Sequence, residues 1–145
     1  MTITGGFDSL GGGIYNTGFL RLDNCLITQN IAQLDGGGIY NTGRLTMTDT
    51  LLRANVASVS AGALYSSGTV AAERVSFLNN TVEGSDTQRF GGAIFNRNGA
   101  LALVDVKMEA NRAGSGAGRS ISSCCSGPPR SLNTRTLDMV KSTLS

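Results

Sequence analysis

Charged and polar side chains recur at one position of a repeated pattern, and they are the first candidates for chemistry. That position is occupied by Asn24, Asp49, Arg74 and Asp105 in successive repeats. The acidic residues Asp23 and Glu73 directly precede it in two of the repeats. Paired carboxylates can hydrolyse glycosidic bonds, or they can hold calcium for polysaccharide cleavage. The same residue types also cap turns and form ion pairs between adjacent repeats. Because turn capping explains all of them, the sequence assigns no catalytic residue and no metal ligand, and a non-enzymatic role is favoured.

Other reactive groups are scarce. The chain has no histidine, so a nucleophile activated by histidine cannot be built. Its three cysteines, Cys25, Cys124 and Cys125, follow no zinc-binding spacing. Cys25 falls in an apolar column and is predicted to be a small buried hydrophobe. No glycine-rich phosphate loop precedes a helix, and no cofactor is expected.

Composition limits the partners. The 145 residues are 40% hydrophobic, which is typical of a folded domain. Residues 1–111 carry seven basic against nine acidic side chains, which argues against nucleic acid as a partner. No apolar run approaches the roughly 20 residues that a membrane span needs. The first residues lack a signal-peptide pattern, so an export signal is expected outside this chain.

The elements that position these residues come from a repeat. The octet Gly11 to Gly18, GGGIYNTG, recurs unchanged at 36–43, and related versions occur at 61–68 and 91–99. Within each copy apolar residues alternate with polar ones, which indicates short strands, and glycine-rich turns leave no room for a helix. Three apolar columns are expected inside: Ile14, Ile39, Leu64, Ile94; Leu20, Leu45, Val70, Leu101; and Ile27, Leu52, Phe77, Met108.

A unit of this length buries its apolar side only by stacking on its neighbours. The sequence therefore predicts an all-β fold, a right-handed parallel β-helix of about four coils of ~25 residues with three sheets. Its domain spans residues 1–113. Residues 114–145 form an aperiodic tail, for which a short capping helix near Leu132 to Leu144 and a disordered segment are the alternatives.

Two further columns are polar or aromatic. We interpret Asn30, Asn55, Asn80 and Asn111 as a structural ladder of stacked amides, and Asn16, Asn41, Ser66 and Asn96 as a second one. Alternation directs Tyr15, Tyr40, Tyr65 and Phe95 outward as an exposed aromatic strip. Rings in adjacent coils can simply support one another, but a strip of this kind also suits a glycan or a protein partner. The turn at 81–90 is longer than its counterparts and is predicted to be a loop near the strip.

These motifs resemble known repeats. GGGIYNTG, LRLDNCLITQN and LTMTDTLLRAN are similar to repeats of the pectate-lyase-like right-handed β-helix superfamily. Gly91-Gly-Ala-Ile94 and Phe77-Leu-Asn-Asn80 resemble the GGA(I/L/V) and FxxN motifs of polymorphic outer-membrane protein repeats. The resemblance implies a secreted or cell-surface location, outer-membrane-associated in the parent protein, and an adhesion-like or structural role.

The leading hypothesis is a non-catalytic β-helical scaffold or binding segment. The alternatives are a remnant of a polysaccharide lyase or glycoside hydrolase, and a truncated fragment without independent function. Open coil ends present unpaired strand edges, so end-to-end self-association is also expected.

Overall fold

The computed structural model describes residues 1–83, 90–113 and 121–124. Short strands follow one another along the chain and are separated by turns. They are β1 (Thr2–Thr4), β2 (Phe7–Leu10), β3 (Ile14–Asn16), β4 (Phe19–Asp23), β5 (Leu26–Thr28), β6 (Ile31–Asp35), β7 (Ile39–Asn41), β8 (Arg44–Thr48), β9 (Leu51–Arg53), β10 (Val56–Ala57), β11 (Leu64–Ser66), β12 (Thr69–Glu73), β13 (Ser76–Leu78), β14 (Thr81–Val82), β15 (Ile94–Arg97), β16 (Ala100–Val104), β17 (Lys107–Glu109), β18 (Arg112–Ala113) and β19 (Ile121–Cys124).

Equivalent strands of successive coils pair in parallel and build four sheets along the rod. Sheet A has the order β1-β5-β9-β13-β17 and sheet B the order β18-β14-β10-β6-β2. Sheet C is β19-β15-β11-β7-β3 and sheet D is β16-β12-β8-β4. Every pairing is parallel, and the pairs join residues at the same position of the repeat, for example Ile27 with Leu52 and Val70 with Leu101. The pairing of β2 with β6 is the exception, because its register shifts between Asp8 and Leu10. The predicted parallel β-helix is confirmed.

The core lies between the sheets. The three predicted apolar columns point inward and are buried, except that Ile14 and Leu20 are only partly covered. Cys25 belongs to the same cluster, as predicted. The expected number of three sheets is wrong, because the sequence interpretation missed sheet B. Its strands are as short as two residues and point small side chains such as Ala32 and Ala57 inward, so they lack the signature of a core column.

Sharp corners separate the sheets. Left-handed backbone recurs at three positions of the repeat, and two of these positions are filled mainly by residues other than glycine. One corner holds Asn24, Asp49, Arg74 and Asp105, with φ between 47 and 51°. Another holds Gln29, Ala54, Asn79 and Ala110, directly before the asparagine column. Each residue of the candidate acidic column therefore lies at a turn, in agreement with the capping interpretation.

The glycine shared by all four turns between sheets B and C allows the backbone of a neighbouring coil to approach closely. A Cβ atom at Gly37 would lie 2.4 Å from the carbonyl oxygen of Val56 and 2.3 Å from that of Gly62. Gly12, Gly62 and Gly92 face backbone atoms at comparably short distances. Because main-chain atoms of the next coil cannot move aside independently, this position of the repeat requires glycine.

Two predicted segments fall largely outside the described residues. One is the long turn at 81–90, of which residues 84–89 are not described. The other is the capping helix expected near Leu132 to Leu144. Strand β19 of the tail pairs with β15 and adds one strand to sheet C, which the sequence did not predict. Within the described ranges, no helix has the length and apolarity needed to cross a membrane.

Candidate binding site

The asparagine column forms a continuous ladder of side-chain amides. The Nδ2 of each asparagine donates to the Oδ1 of the next, at 3.0, 3.0 and 2.9 Å from Asn30 through Asn55 and Asn80 to Asn111. The main-chain N–H of each of the first three donates to the same Oδ1. A second Nδ2 bond reaches a carbonyl of the preceding coil, such as Ile27 for Asn55. The donors and acceptors of these amides are thus engaged in hydrogen bonds at the corner, which supports the structural interpretation.

The second polar ladder is interrupted. Asn16 donates to Asn41 at 2.7 Å, and Asn41 donates to the hydroxyl of Ser66 at 3.0 Å. Asn96 donates to the carbonyl of Gly99 instead, and its buried Oδ1 has no hydrogen-bond partner. Serine at position 66 is too short to extend the ladder to that oxygen, so the fold carries one unsatisfied acceptor here.

The aromatic column forms a stack along sheet C. The rings of Tyr15 and Tyr40 lie 5.3 Å apart and are inclined by 4°, and those of Tyr40 and Tyr65 lie 4.6 Å apart at 3°. Phe95 follows at 5.5 Å but is tilted by 37°, and Phe90 lies 5.5 Å beyond it. Each ring covers a face of its neighbour, so the predicted mutual support is confirmed.

The exposure of the stack differs from the prediction. Tyr15 is 55% exposed and Tyr40 partly exposed, whereas Tyr65 and Phe95 are only 5% and 6% exposed. These two rings form a small cluster with Ala61 outside the main core. The expectation of a strip exposed along its whole length is therefore wrong, because outward direction from the sheet does not ensure contact with solvent. The stack therefore exposes one open ring, Tyr15, and part of Tyr40 to solvent.

An acidic residue lies beside the tyrosines at the corner between sheets B and C. Asp35 ends β6, is partly buried and pairs through its backbone with Ser60 of the next coil. Its Oδ1 is buried without a hydrogen-bond partner. Burial raises the pKa of Asp35, while favourable interactions with Ser60 and the positive charge of Arg97 act in the opposite direction.

The tyrosine hydroxyls belong to the same corner. Burial raises the pKa of Tyr40, and nearby Tyr65, Asp35 and Tyr15 raise it further; a hydrogen bond with Tyr65 adds to the effect. The phenol groups and the carboxylate of Asp35 are therefore neighbours. We call Asp35, Tyr40, Ser60 and Tyr65 the B–C corner cluster.

The acids first considered for catalysis lie at a different corner. Arg74 forms a two-pronged ion pair with Asp49, at 2.7 and 3.0 Å, and also contacts Glu73. Hydrogen bonding to Arg74 lowers the pKa of Asp49. These side chains are about half exposed, so the pair links adjacent coils without forming a cleft. In the part of the chain that the structure describes, no three metal-binding side chains come together.

Stacked parallel strands, axial ladders and ~25-residue coils define the protein as a parallel β-solenoid of repeats. Residues 24–42 and 74–97 match the Chlamydia polymorphic membrane protein repeat. The chain is therefore a β-helix repeat protein similar to the polymorphic membrane proteins, as the sequence motifs predicted. Comparisons with curated proteins and with solved structures give no match.

Both matched segments cover the same part of the coil. Each begins at the corner before sheet A, passes the asparagine ladder and the Gly-Gly turn, and reaches sheet C. The short motifs within it have physical roles, because Asn80 continues the ladder and Gly92 admits the backbone of the next coil. The shared residues are those that stack coils, and they specify architecture rather than a ligand.

Sequence reasoning missed the B–C corner cluster except for its tyrosines. Asp35 stands where the neighbouring coils have Ser60 and Phe90. An acid at the end of a strand, directly before the glycine turn and aligned with an uncharged column, is the signal that could have revealed it.

Proposed function

We propose that the protein is a non-catalytic scaffold segment of a cell-surface protein, outer-membrane-associated in its parent, with an adhesion-like or structural role. The observation that carries this proposal is the polymorphic membrane protein repeat at 24–42 and 74–97, on coils that stack in register. Stacking of this kind suits a spacer, since each coil repeats the contacts of the one before it.

The surface next to the stack supports a binding role. Tyr15 offers an open aromatic face and Tyr40 a partial one, and aromatic side chains are favoured anchors for partners. The corner cluster adds polar groups beside these rings. Other accessible ion pairs, such as Lys107 with Glu109, are isolated on the outside of sheet A. We therefore place the contact surface of the scaffold at Tyr15, Tyr40 and the adjoining corner.

The location is tested with antibodies raised against the purified chain. Intact cells of the source organism should be labelled, and brief protease treatment of those cells should remove the epitope. A cytoplasmic marker protein provides the control, because it should be labelled only after permeabilisation. Labelling that requires permeabilisation would contradict the proposal.

The enzymatic alternative needs acids collected in one groove. Asp49 and Glu73 are instead engaged by Arg74 at an exposed corner, and this arrangement favours the scaffold. The alternative of a fragment without independent function predicts a chain that does not fold by itself. A soluble chain with a single cooperative thermal transition would argue against it. End-to-end self-association stays a prediction, and sedimentation velocity at rising concentration measures it.

A further inference from the structure

The outer face of sheet B carries a patch of apolar side chains that are open to solvent. Ile31 is 43% exposed, Leu34 47% and Val59 41%. Val56 is partly exposed beside them, and Phe7 continues the patch at 65% exposure. We call these five residues the sheet B patch. In the part of the chain that the structure describes, no other sheet exposes as many large hydrophobic side chains on its outer face.

The patch is built from two columns that run along the rod. In the first column, Ile31 pairs with Phe7 on one side and with Val56 on the other. In the second, the N–H of Val59 donates to the carbonyl oxygen of Leu34 at 2.9 Å, so these two residues belong to neighbouring coils. Paired strands lie about 4.8 Å apart, and residues three apart along a strand are separated by about 10 Å. The four central side chains therefore mark the corners of a rectangle of about 5 by 10 Å.

The patch itself is uncharged, and charged residues appear only farther along the rod. Thr81 follows Val56 in the first column, and Arg112 follows Thr81. Glu83 is exposed directly after strand β14. A strongly charged partner would find no opposite charge among the apolar side chains, whereas a second copy of this face presents an equally neutral surface.

The size of the face also suits a second copy. The patch exposes roughly 400 Å² of apolar surface, which is within the range of patches that mark interaction surfaces. The exposed polar residues Gln33 and Ser58 lie between the two columns. Together with such polar residues, the face approaches the roughly 800 Å² per partner that a stable interface buries.

The charges indicate how two copies can meet. In a two-fold dimer with parallel rods each coil would face its own counterpart, so Glu83 would face Glu83 of the second copy, and opposed like charges disfavour this arrangement. A two-fold axis between β6 and β10 that makes the rods antiparallel avoids this contact. It places Ile31 against Val56 of the second copy. In the same way, Leu34 meets Val59 of the second copy.

We propose that the sheet B patch is the interface of a two-fold symmetric dimer of this chain, in which the two rods are antiparallel. A two-fold contact uses the same patch on both copies, so the assembly closes at two chains. End-to-end association through open strand edges would instead continue to grow with concentration, and the two modes are therefore distinguishable. Because the interface is of modest size, we expect a dissociation constant on the order of 1 to 10 µM.

Sedimentation velocity of the full 145-residue chain tests the proposal. Between about 0.5 and 100 µM the chain should convert from monomer to dimer and grow no further. Leu34→Asp should raise the dissociation constant about tenfold or more, because it brings a charge into the apolar contact. Val104→Asp is the matched control: Val104 is 39% exposed at the end of β16 in sheet D, and this variant should dimerise like the unmodified chain.

A mixture of two variants tests the antiparallel register. Val59→Lys should dimerise as poorly as Leu34→Asp when each is measured alone. In the antiparallel dimer, the carboxylate introduced at position 34 of one chain faces the ammonium group introduced at position 59 of the other. An equimolar mixture of Leu34→Asp and Val59→Lys should therefore restore dimers.

Circular dichroism melting confirms that each variant is folded, and Val59→Lys decides the question if Leu34→Asp does not fold. A chain that stays monomeric up to about 100 µM would overturn the proposal. So would equal weakening by Leu34→Asp and Val104→Asp, or growth beyond two chains that neither patch variant reduces. A mixture that fails to restore dimers would overturn the antiparallel register. Surface labelling of intact cells does not depend on these results, so the proposed scaffold function is tested separately.

Discussion

Replacing Asn80 by alanine should remove a large part of the stability of the protein. The side chain takes part in four hydrogen bonds: Nδ2 donates to Leu52 and Asn111 at 2.9 Å each, and Oδ1 accepts from the main chain and side chain of Asn55 at 3.0 Å each. At about 1 kcal/mol per buried bond, the expected loss is about 4 kcal/mol. That is a substantial share of a typical unfolding free energy of about 5–15 kcal/mol.

The neighbouring residue provides a matched control. Asn79 is exposed and lies outside the ladder, and its φ of 54° is shared by Ala54 and Ala110 at the same position of other coils. Alanine is therefore already compatible with that backbone. Asn79→Ala should cost no more than about 1 kcal/mol, the range of a surface substitution with a small backbone preference.

Urea denaturation followed by circular dichroism measures both variants. The midpoint for Asn80→Ala should fall strongly and that for Asn79→Ala only slightly. A third variant, Asn80→Asp, keeps the acceptor for Asn55 but turns the donor towards Asn111 into a second oxygen. It should be at least as destabilising at neutral pH and recover partly in acid, where the carboxyl can again donate. Equal losses for Asn80→Ala and Asn79→Ala would refute the reasoning, because water would then replace the ladder without cost.

Three further changes test other parts of the fold. Ser66→Asn should raise the unfolding free energy by about 1 kcal/mol in urea denaturation, because its new Nδ2 can reach the unpaired Oδ1 of Asn96; an unchanged midpoint would mean that the longer side chain does not fit. Gly37→Ala should lower the melting temperature severely, whereas Gly18→Ala, where a Cβ would have no atom within 4 Å, should leave it nearly unchanged. Asp35→Asn should stabilise the protein at neutral pH: burial raises the folded-state pKa of Asp35, so the stability that its protonated form provides is lost as the pH rises through that pKa. The gain over the unmodified chain should therefore vanish in acid, and a gain that is equal at both pH values would contradict the assignment.

The apolar and asparagine columns were predictable from the sequence because the same residue type recurs at the same position of several coils. Ile27, Leu52 and Phe77 share a position whose character survives substitution, and the asparagine ladder is invariant through four coils. Sheet B was not predicted because alanine occupies its inward position in two coils, and alanine does not mark a position of the pattern as clearly apolar or clearly polar.

The properties of single coils were not predictable. Tyr65 and Phe95 occupy an outward column, yet they are buried because neighbouring aromatic rings and Ala61 pack against them. Asp35 acquires its environment from Ser60 in the next coil and Arg97 farther along the chain. Interactions of this kind depend on how several coils stack, and alternation within one coil carries no information about them.

The asparagine ladder also determines where the chain can change in length. From Asn30 to Asn55 and from Asn55 to Asn80 the separation is 25 residues, but from Asn80 to Asn111 it is 31. The Nδ2–Oδ1 distance is nevertheless 2.9 Å at the longer step, against 3.0 Å at the others. Most of the additional residues fall between β14 and Phe90, in the turn from sheet B to sheet C. A foreign peptide spliced into that turn should therefore leave the stacking intact, which makes the turn a natural graft point for epitope display on this scaffold.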